Sequence, residues 1–362
     1  MAGFEGLQWA SRQMRYLLIG KQFELMETEA KVFAVSRSIH YGAFLAFEGI
    51  RFFCKKTGGG RPEAIFLNWD KNLERFRRGI SFNLGRPQQE LVPSAEELEN
   101  LFVRLYLQDD SMRDFLLEIA GLGAQGYLRP FTVDEDQSIG VTFPAQPSIR
   151  AVACRYDRYL GEPFCGVVIP HIVRALGVNK TGCLKLGVNY LMSVKAVDEA
   201  KRIAPEAASA LFLDDNTSAR LEDRHITEWD SSCCLFAFRD GTLVKIPESN
   251  LILPSITILG IVTILKGMGV KVEERHIAYG ELVRRAKAGE LIAVCSVGTA
   301  GILNRCRKLV MVDDAGGAAF THTSDETHPL YKQLGQAREH YWDIYREKVP
   351  APAGLKLFKY GL

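Results

Sequence analysis

Lys185 is the residue whose setting points most directly to chemistry. It lies in CLKLGVNYLMSVKAVDEAKR, between a turn of small residues and a helix that begins at Asn189 and Tyr190. A chain built in this way presents one amine from a fixed scaffold, and an amine held away from water keeps its lone pair free for attack on a carbonyl. Five further segments accompany it. IHYGAFLAFEGIR (39–51) and NWDKNLERF (68–76) lie upstream, and ITEWDSSCCLFAF (226–238), LPSIT (253–257) and VGTA (297–300) lie downstream. Together they supply carboxylates, arginines, hydroxyls and a helix opening.

Composition narrows what these residues can serve. At 362 residues the chain is long enough for two domains with separate cores. An apolar content of 47% and a charged content of 24% are those of a soluble globular protein. A net charge of +2, with no helical stripe of Lys and Arg, gives no electrostatic case for nucleic acid. The eight cysteines never form a CxxC, and no His stands close enough to suggest zinc, so buried free thiols in a reducing compartment and no metal are expected. The N-terminus lacks a secretory pattern. The apolar stretch LILPSITILGIVTIL (251–265) is interrupted by Pro, Ser, Thr and Gly and is shorter than the roughly 20 residues a membrane span needs. A cytoplasmic protein without membrane partners is expected.

The elements that must position the chemistry are mixed α and β. PSAEELENLFVRLYLQ (93–108) repeats its apolar residues Leu98, Leu101, Phe102, Leu105 and Leu107 at mostly helical spacing, with Ser94 as N-cap and Glu97 closing a capping box. Helices are also expected at 190–203, 256–267 and 328–347, and strands at 210–215, 234–238 and 242–246, the last two joined by the Asp-Gly of a tight hairpin. KKTGGGRPE (55–63) lacks phosphate-loop spacing and is read as a hairpin loop. Around RYDRYLGEPF the chain turns polar and aromatic. The expected organisation is a small α+β domain over 1–154, a linker over 155–163 and a larger domain over 164–362.

In their order and approximate spacing, the six segments resemble the branched-chain amino-acid aminotransferases, the fold type IV group of pyridoxal phosphate enzymes. The resemblance runs from about residue 30 to 310. It implies an α/β (α+β) fold of two domains with the active site in the cleft between them, and a homodimer whose sites borrow a loop from the partner subunit. Lys185 would hold the aldehyde of pyridoxal 5'-phosphate as a Schiff base and act as the general acid/base. Glu228 matches the acid beside the pyridine nitrogen, and Tyr190 the tyrosine that contacts the ring hydroxyl. Arg75, the backbone N–H groups of Ile256 and Thr257 at a helix start, and Thr299 match the phosphate donors. Tyr41, Phe47, Tyr127, Arg129 and Tyr159 match the substrate pocket, in which Arg129 would take the distal carboxylate of glutamate. Ala300, with Thr299, matches the turn that meets the substrate carboxylate.

The sequence also departs from that pattern. One extra residue stands between Glu228 and the Leu-Phe pair, and Cys234 occupies a position where Asn is common. Ser255 and Ile258 replace the Gly and Arg of the usual LPGITR. The implied activity is amino transfer from an aliphatic or other hydrophobic amino acid to a 2-oxo acid such as 2-oxoglutarate. Its rivals are a lyase of the aminodeoxychorismate lyase type or a specialised biosynthetic aminotransferase on the same scaffold, and a non-catalytic binding protein that kept the fold.

Overall fold

The structure, a computed structural model, describes residues 4–30, 34–159 and 163–362. The chain divides into two compact units. One comprises Phe4–Asp157, Leu184–Val188 and Leu355–Leu362, and the other Arg158–Cys183 and Asn189–Gly354. The first crossing, at Asp157 and Arg158, falls inside the polar, aromatic stretch of the sequence. Five residues carrying Lys185 then return to the first unit.

The first unit is built on a seven-stranded antiparallel sheet. Its strands are β1 (Gln8–Leu17), β2 (Gln22–Glu27), β3 (Ile50–Lys56), β4 (Pro62–Leu67), β5 (Gln125–Asp134), β6 (Pro147–Tyr156) and a C-terminal strand, Leu357–Gly361. The order is C-terminal strand, β4, β3, β5, β6, β1, β2. The glycine-rich stretch closes the β3–β4 hairpin, in which Thr57 N–H donates to Arg61 O. Helices α1 (Arg37–Tyr41), α2 (Trp69–Asn83), α3 (Ala95–Glu99) and α4 (Arg113–Leu122) complete the unit. Asn68, in the left-handed region at φ 54°, starts α2; its side-chain oxygen accepts from Lys356 N–H at 3.0 Å. The core gathers Phe52, Phe66, Trp69, Phe76 and Phe102.

One expectation fails here. Ser94 and Glu97 form the capping box, but the helix expected through 108 is α-helical only over Ala95–Glu99 and continues as π turns over Asn100–Leu107. Those wider turns bury Leu101, Phe102 and Val103 together with Tyr106 and Leu107, while Leu105 faces solvent. The buried Tyr106 hydroxyl donates to Arg12 O at 2.6 Å and accepts from Ala153 N–H at 3.1 Å. A polar tether of this kind has no periodic signature.

The second unit holds a nine-stranded mixed sheet: β7 (Phe164–Ile169), β8 (Ala207–Leu213), β9 (Ile226–Trp229), β10 (Cys233–Phe238), β11 (Thr242–Lys245), β12 (Lys271–Glu274), β13 (Leu291–Gly298), β14 (Ile302–Val312) and β15 (Ala318–Thr323). The order is β9, β8, β7, β14, β13, β10, β11, β12, with β15 on β14. β7 runs parallel to both β8 and β14. Helices α5 (Tyr190–Ile203), α6 (Ile256–Gly267), α7 (Tyr279–Lys287) and α8 (Pro329–Tyr345) accompany it; α5, α6 and α8 lie close to the expected spans, and α7 was not expected. Asp240-Gly241 closes the β10–β11 hairpin, and Gly241 takes φ 82°, which a residue with a side chain rarely adopts. All eight cysteines are free thiols, and seven are buried. Burial alone pushes Cys54 up to about 12, and burial is the main cause of the same rise at Cys295.

Gly166 on β7 makes room for Trp229, the residue after Glu228: a Cβ at 166 would lie 2.5 Å from the indole ring. Trp229 is fully buried, stacks edge-on against Phe164 and donates to Cys295 O at 3.1 Å, so it has nowhere to retreat. Gly166→Ala is expected to destabilise the fold by roughly 1–3 kcal/mol in denaturant unfolding, as overpacked cores do. An unchanged midpoint would show that β9 is not seated through this contact.

Candidate active site

The residues of the first unit converge on the returning segment. Phe47 N–H donates to Lys185 O at 3.0 Å and Gly187 N–H to Leu45 O at 2.7 Å, so the segment is fastened strand-like to 45–47. Leu186 is buried beneath it. Gly79 on α2 lets this backbone come close, because a Cβ there would lie 3.0 Å from Ala46 Cβ and 3.9 Å from Lys185 O. With its main chain fixed in this way, half-buried Lys185 sets its ammonium 4.9 Å from the centroid of the Phe47 ring.

Arg75, one helical turn before Gly79, is buried and bidentate to Glu48. Its Nε donates to Oε2 at 2.7 Å and its Nη2 to Oε1 at 2.5 Å. Glu48 is fully buried and also accepts from Gly49 N–H at 2.7 Å. The pair aligns the guanidinium through a planar, charge-assisted contact. Sequence reasoning passed over Glu48, although it stands in the quoted FEGIR.

Tyr127 and Arg129 point to the same face of β5, as period-two spacing requires. Arg129 Nη2 donates to the Tyr127 hydroxyl at 2.9 Å, and the guanidinium lies 4.9 Å from the Phe47 ring centroid and 5.2 Å from that of Tyr127. Gly49 leaves space for the Tyr127 phenol, whose oxygen would lie 1.9 Å from a Cβ at that position. Lys185 and Arg129 thus meet at the Phe47 ring, and Arg129 carries the link on to Tyr127. Tyr41 is engaged differently: it is exposed, and its hydroxyl donates to Ile139 O at 2.8 Å. Tyr159 lies in a two-residue strand whose side chains fall outside the described residues.

In the second unit Glu228 is buried on β9 and paired with Arg174, a residue that sequence reasoning missed. The carboxylate also accepts from Leu253 N–H at 3.2 Å. Arg174 Nη2 donates in addition to Gly182 O at 2.8 Å and Leu251 O at 2.9 Å. One buried guanidinium therefore ties the acid to the loop ahead of α6 and to the loop ahead of Lys185. Gly182 is required for that closure, since a Cβ there would meet Asn250 O at 2.5 Å. The VNK and VNY runs around these loops carry no spacing signal for such a tie.

The altered segments are absorbed locally. The extra residue after Glu228 enters a turn in which Trp229 N–H donates to Ser232 O at 2.9 Å, and the Ser232 and Ser296 hydroxyls share a hydrogen at 2.6 Å. Asp230 anchors the turn by accepting from Ala210 N–H at 3.0 Å and from the Ser209 hydroxyl; burial raises its carboxyl pKa. Cys234 donates its thiol to Thr227 O at 3.3 Å, and Cys233 to Leu253 O at 3.3 Å. Thr299 and Ala300 are half-buried in the β13–β14 turn beside Ser232. Tyr190 opens α5, and the preceding Asn189 donates its side-chain amide to Thr181 O at 2.8 Å. Ile256 and Thr257 begin α6, where first-turn N–H groups have no intrahelical acceptor.

These residues suit an aromatic aldehyde that carries a phosphate. The first unit supplies a fastened amine and an aligned arginine, and the second, by itself, a buried carboxylate with a fixed counterion and a helix start rich in donors. Among the described residues no cluster of His, Cys, Asp and Glu could hold a metal ion.

No protein-family model matches the chain. A probable branched-chain-amino-acid aminotransferase of Staphylococcus aureus (strain N315) is 28% identical over 300 residues, covering 82% of this chain and 77% of that protein. The branched-chain aminotransferase of Thermoproteus uzoniensis, solved with norvaline, superposes with a TM-score of 0.69 at 21% identity, over 96% of this chain and 99% of that one. The branched-chain amino acid aminotransferase of Escherichia coli gives 0.67 at 21% identity, over 98% and 99%. Along most of its length the chain is thus similar in sequence to branched-chain amino-acid aminotransferases, and it shares their fold type IV scaffold.

Proposed function

We propose that the chain is a pyridoxal 5'-phosphate-dependent aminotransferase that moves the amino group of a hydrophobic amino acid to a 2-oxo acid such as 2-oxoglutarate. The observation that carries this reading is Lys185, an amine fastened by its own backbone to 45–47 and set over Phe47. When bound, the cofactor supplies an aldehyde that takes up amino groups and a ring that withdraws electrons from the bond being broken.

The chain's own residues do the rest. Lys185 Nζ would hold the aldehyde and is the amine that would move a proton to and from the substrate α-carbon. Glu228 would stand against the ring nitrogen, and Arg174, which touches Glu228 and two carbonyls, is a positioning residue that keeps the acid aimed. Tyr190 would contact the ring hydroxyl. Arg75, aligned by Glu48, would hold the phosphate with the Ile256 and Thr257 N–H groups and Thr299. Thr299 and Ala300 orient the substrate carboxylate, and Tyr41, Phe47, Tyr127 and Tyr159 wall its side chain. Arg129, cross-braced to Tyr127, accepts the second carboxylate when glutamate or 2-oxoglutarate is the partner.

A cytoplasmic homodimer completes the proposal. Free thiols throughout fit a reducing compartment, and no helix among the described residues is long and apolar enough to cross a membrane. Support for the dimer comes from the loop after β5. Arg37 grips it from inside, donating to Asp134 at 2.7 Å, Asp136 at 2.9 Å, Gly140 O at 2.7 Å and Ser138 at 3.0 Å. Outside, Ile139, Val141 and Phe143 are exposed, Val141 to 87%. A loop held by its polar side with an apolar tip offered to solvent is built to be covered by another surface.

Three outcomes are expected. Lys185→Ala should abolish production of keto acid from leucine or valine with 2-oxoglutarate while leaving the fold intact. Borohydride reduction should add the cofactor's mass to the Lys185 peptide of the wild type; retained turnover, or pyruvate release from an aminodeoxychorismate-like substrate, would contradict the assignment. Arg174→Met strands a buried carboxylate and should cost about 3–5 kcal/mol in denaturant unfolding, much of it restored by adding Glu228→Gln; equal stability of the single variant would deny the pair its role. Val141→Asp should shift the protein to monomer in sedimentation velocity, and an unaltered dimer would remove the loop from the interface.

A further inference from the structure

Ser255 and Ile258 depart from the relatives' LPGITR pattern at the very helix start assigned to the phosphate, and the structure relates the two changes. Ile258 is buried, so its side chain belongs to the core and no cation can be offered from that position. Its N–H is already used, donating to Ser255 Oγ at 3.3 Å. Ser255 is in extended conformation as the N-cap of the 12-residue α6. Its oxygen therefore accepts at the helix mouth, while its own hydrogen has no protein acceptor among the described residues.

A second observation is independent of the cap. Thr257 is only 4% exposed, yet among the described residues its hydroxyl makes no hydrogen bond, and its oxygen is not sealed from solvent. A hydroxyl that has no protein partner yet still reaches solvent is free to pair with a ligand. Two hydroxyls and the first-turn N–H groups thus open at one terminus, where the helix dipole already favours an anion.

We propose that Ser255 donates its hydroxyl hydrogen to the cofactor phosphate while accepting from Ile258 N–H, a neutral donor supplied from the position at which LPGITR carries a glycine. The inference rests on the pyridoxal phosphate reading above and concerns this chain's own departure from it.

The test is titration of apoprotein with pyridoxal 5'-phosphate, reading the dissociation constant from protein fluorescence and the environment of the bound phosphate from its 31P chemical shift. Ser255→Thr keeps cap and donor and should stay close to wild type. Ser255→Ala loses both and should bind about 10- to 100-fold more weakly, the usual effect of losing a hydrogen bond to a charged group. Ser255→Asp caps the helix as well as Ser, so its unfolding midpoint should match wild type, but it offers charge in place of a donor and should bind at least as weakly as the Ala variant. Pyridoxal, which lacks the phosphate, should bind all four proteins alike. Wild-type affinity and an unmoved 31P signal in the Ala and Asp variants would overturn the proposal while leaving the broader reading intact, as would equal losses for pyridoxal. A wild type that binds neither compound would instead remove the cofactor reading, and this inference with it.

Discussion

The ion pair between Arg174 and Glu228 is the constraint on which the chemistry proposed for the second unit depends. A carboxylate this deeply buried would ordinarily give up its charge, because desolvation disfavours the anion. Arg174 makes the charged form tenable, and the Leu253 N–H adds a second donor. The same guanidinium closes onto Gly182 O and Leu251 O. Ionisation of the acid and the course of the loops around it are therefore one problem with one solution. A lysine could supply the charge but not the planar set of donors that serves a carboxylate and two carbonyls together.

The first unit follows a parallel logic at Glu48 and Arg75. There, in the proposed function, the arginine is the working group and the acid the support, and Arg75 sits on α2 one turn from the glycine that lets Ala46 approach. Buried ion pairs contribute little net stability compared with apolar packing. Their retention in both units is understandable if each fixes the direction of a charge, which an apolar pair cannot do.

Much of this was legible in the sequence. Helices α5 and α6 lie where periodicity placed them, and the Asp240-Gly241 hairpin and the Ser94–Glu97 box follow from local chemistry. Lys185, Phe47, Tyr127 and Arg129 could be chosen from segment order, and in the structure Lys185 and Arg129 meet at the Phe47 ring and Arg129 carries the link on to Tyr127. What escaped reading was of another kind. Glu48 and Arg174 act through partners 27 and 54 positions away, so no window contains both ends of either pair. The π turns over Asn100–Leu107 accompany Tyr106's tether to Arg12 and Ala153, contacts 94 and 47 positions away in sequence. The one-residue insertion after Glu228 could be counted, but not the serine pair and buried aspartate that absorb it.

The most direct measurement is 15N NMR of the protein reconstituted with pyridoxal 5'-phosphate labelled at its ring nitrogen. A Glu228 held anionic by Arg174 predicts a protonated nitrogen across the neutral pH range, and loss of that proton in Glu228→Gln with the cofactor still bound. An unprotonated ring nitrogen in the wild type at neutral pH would contradict the account.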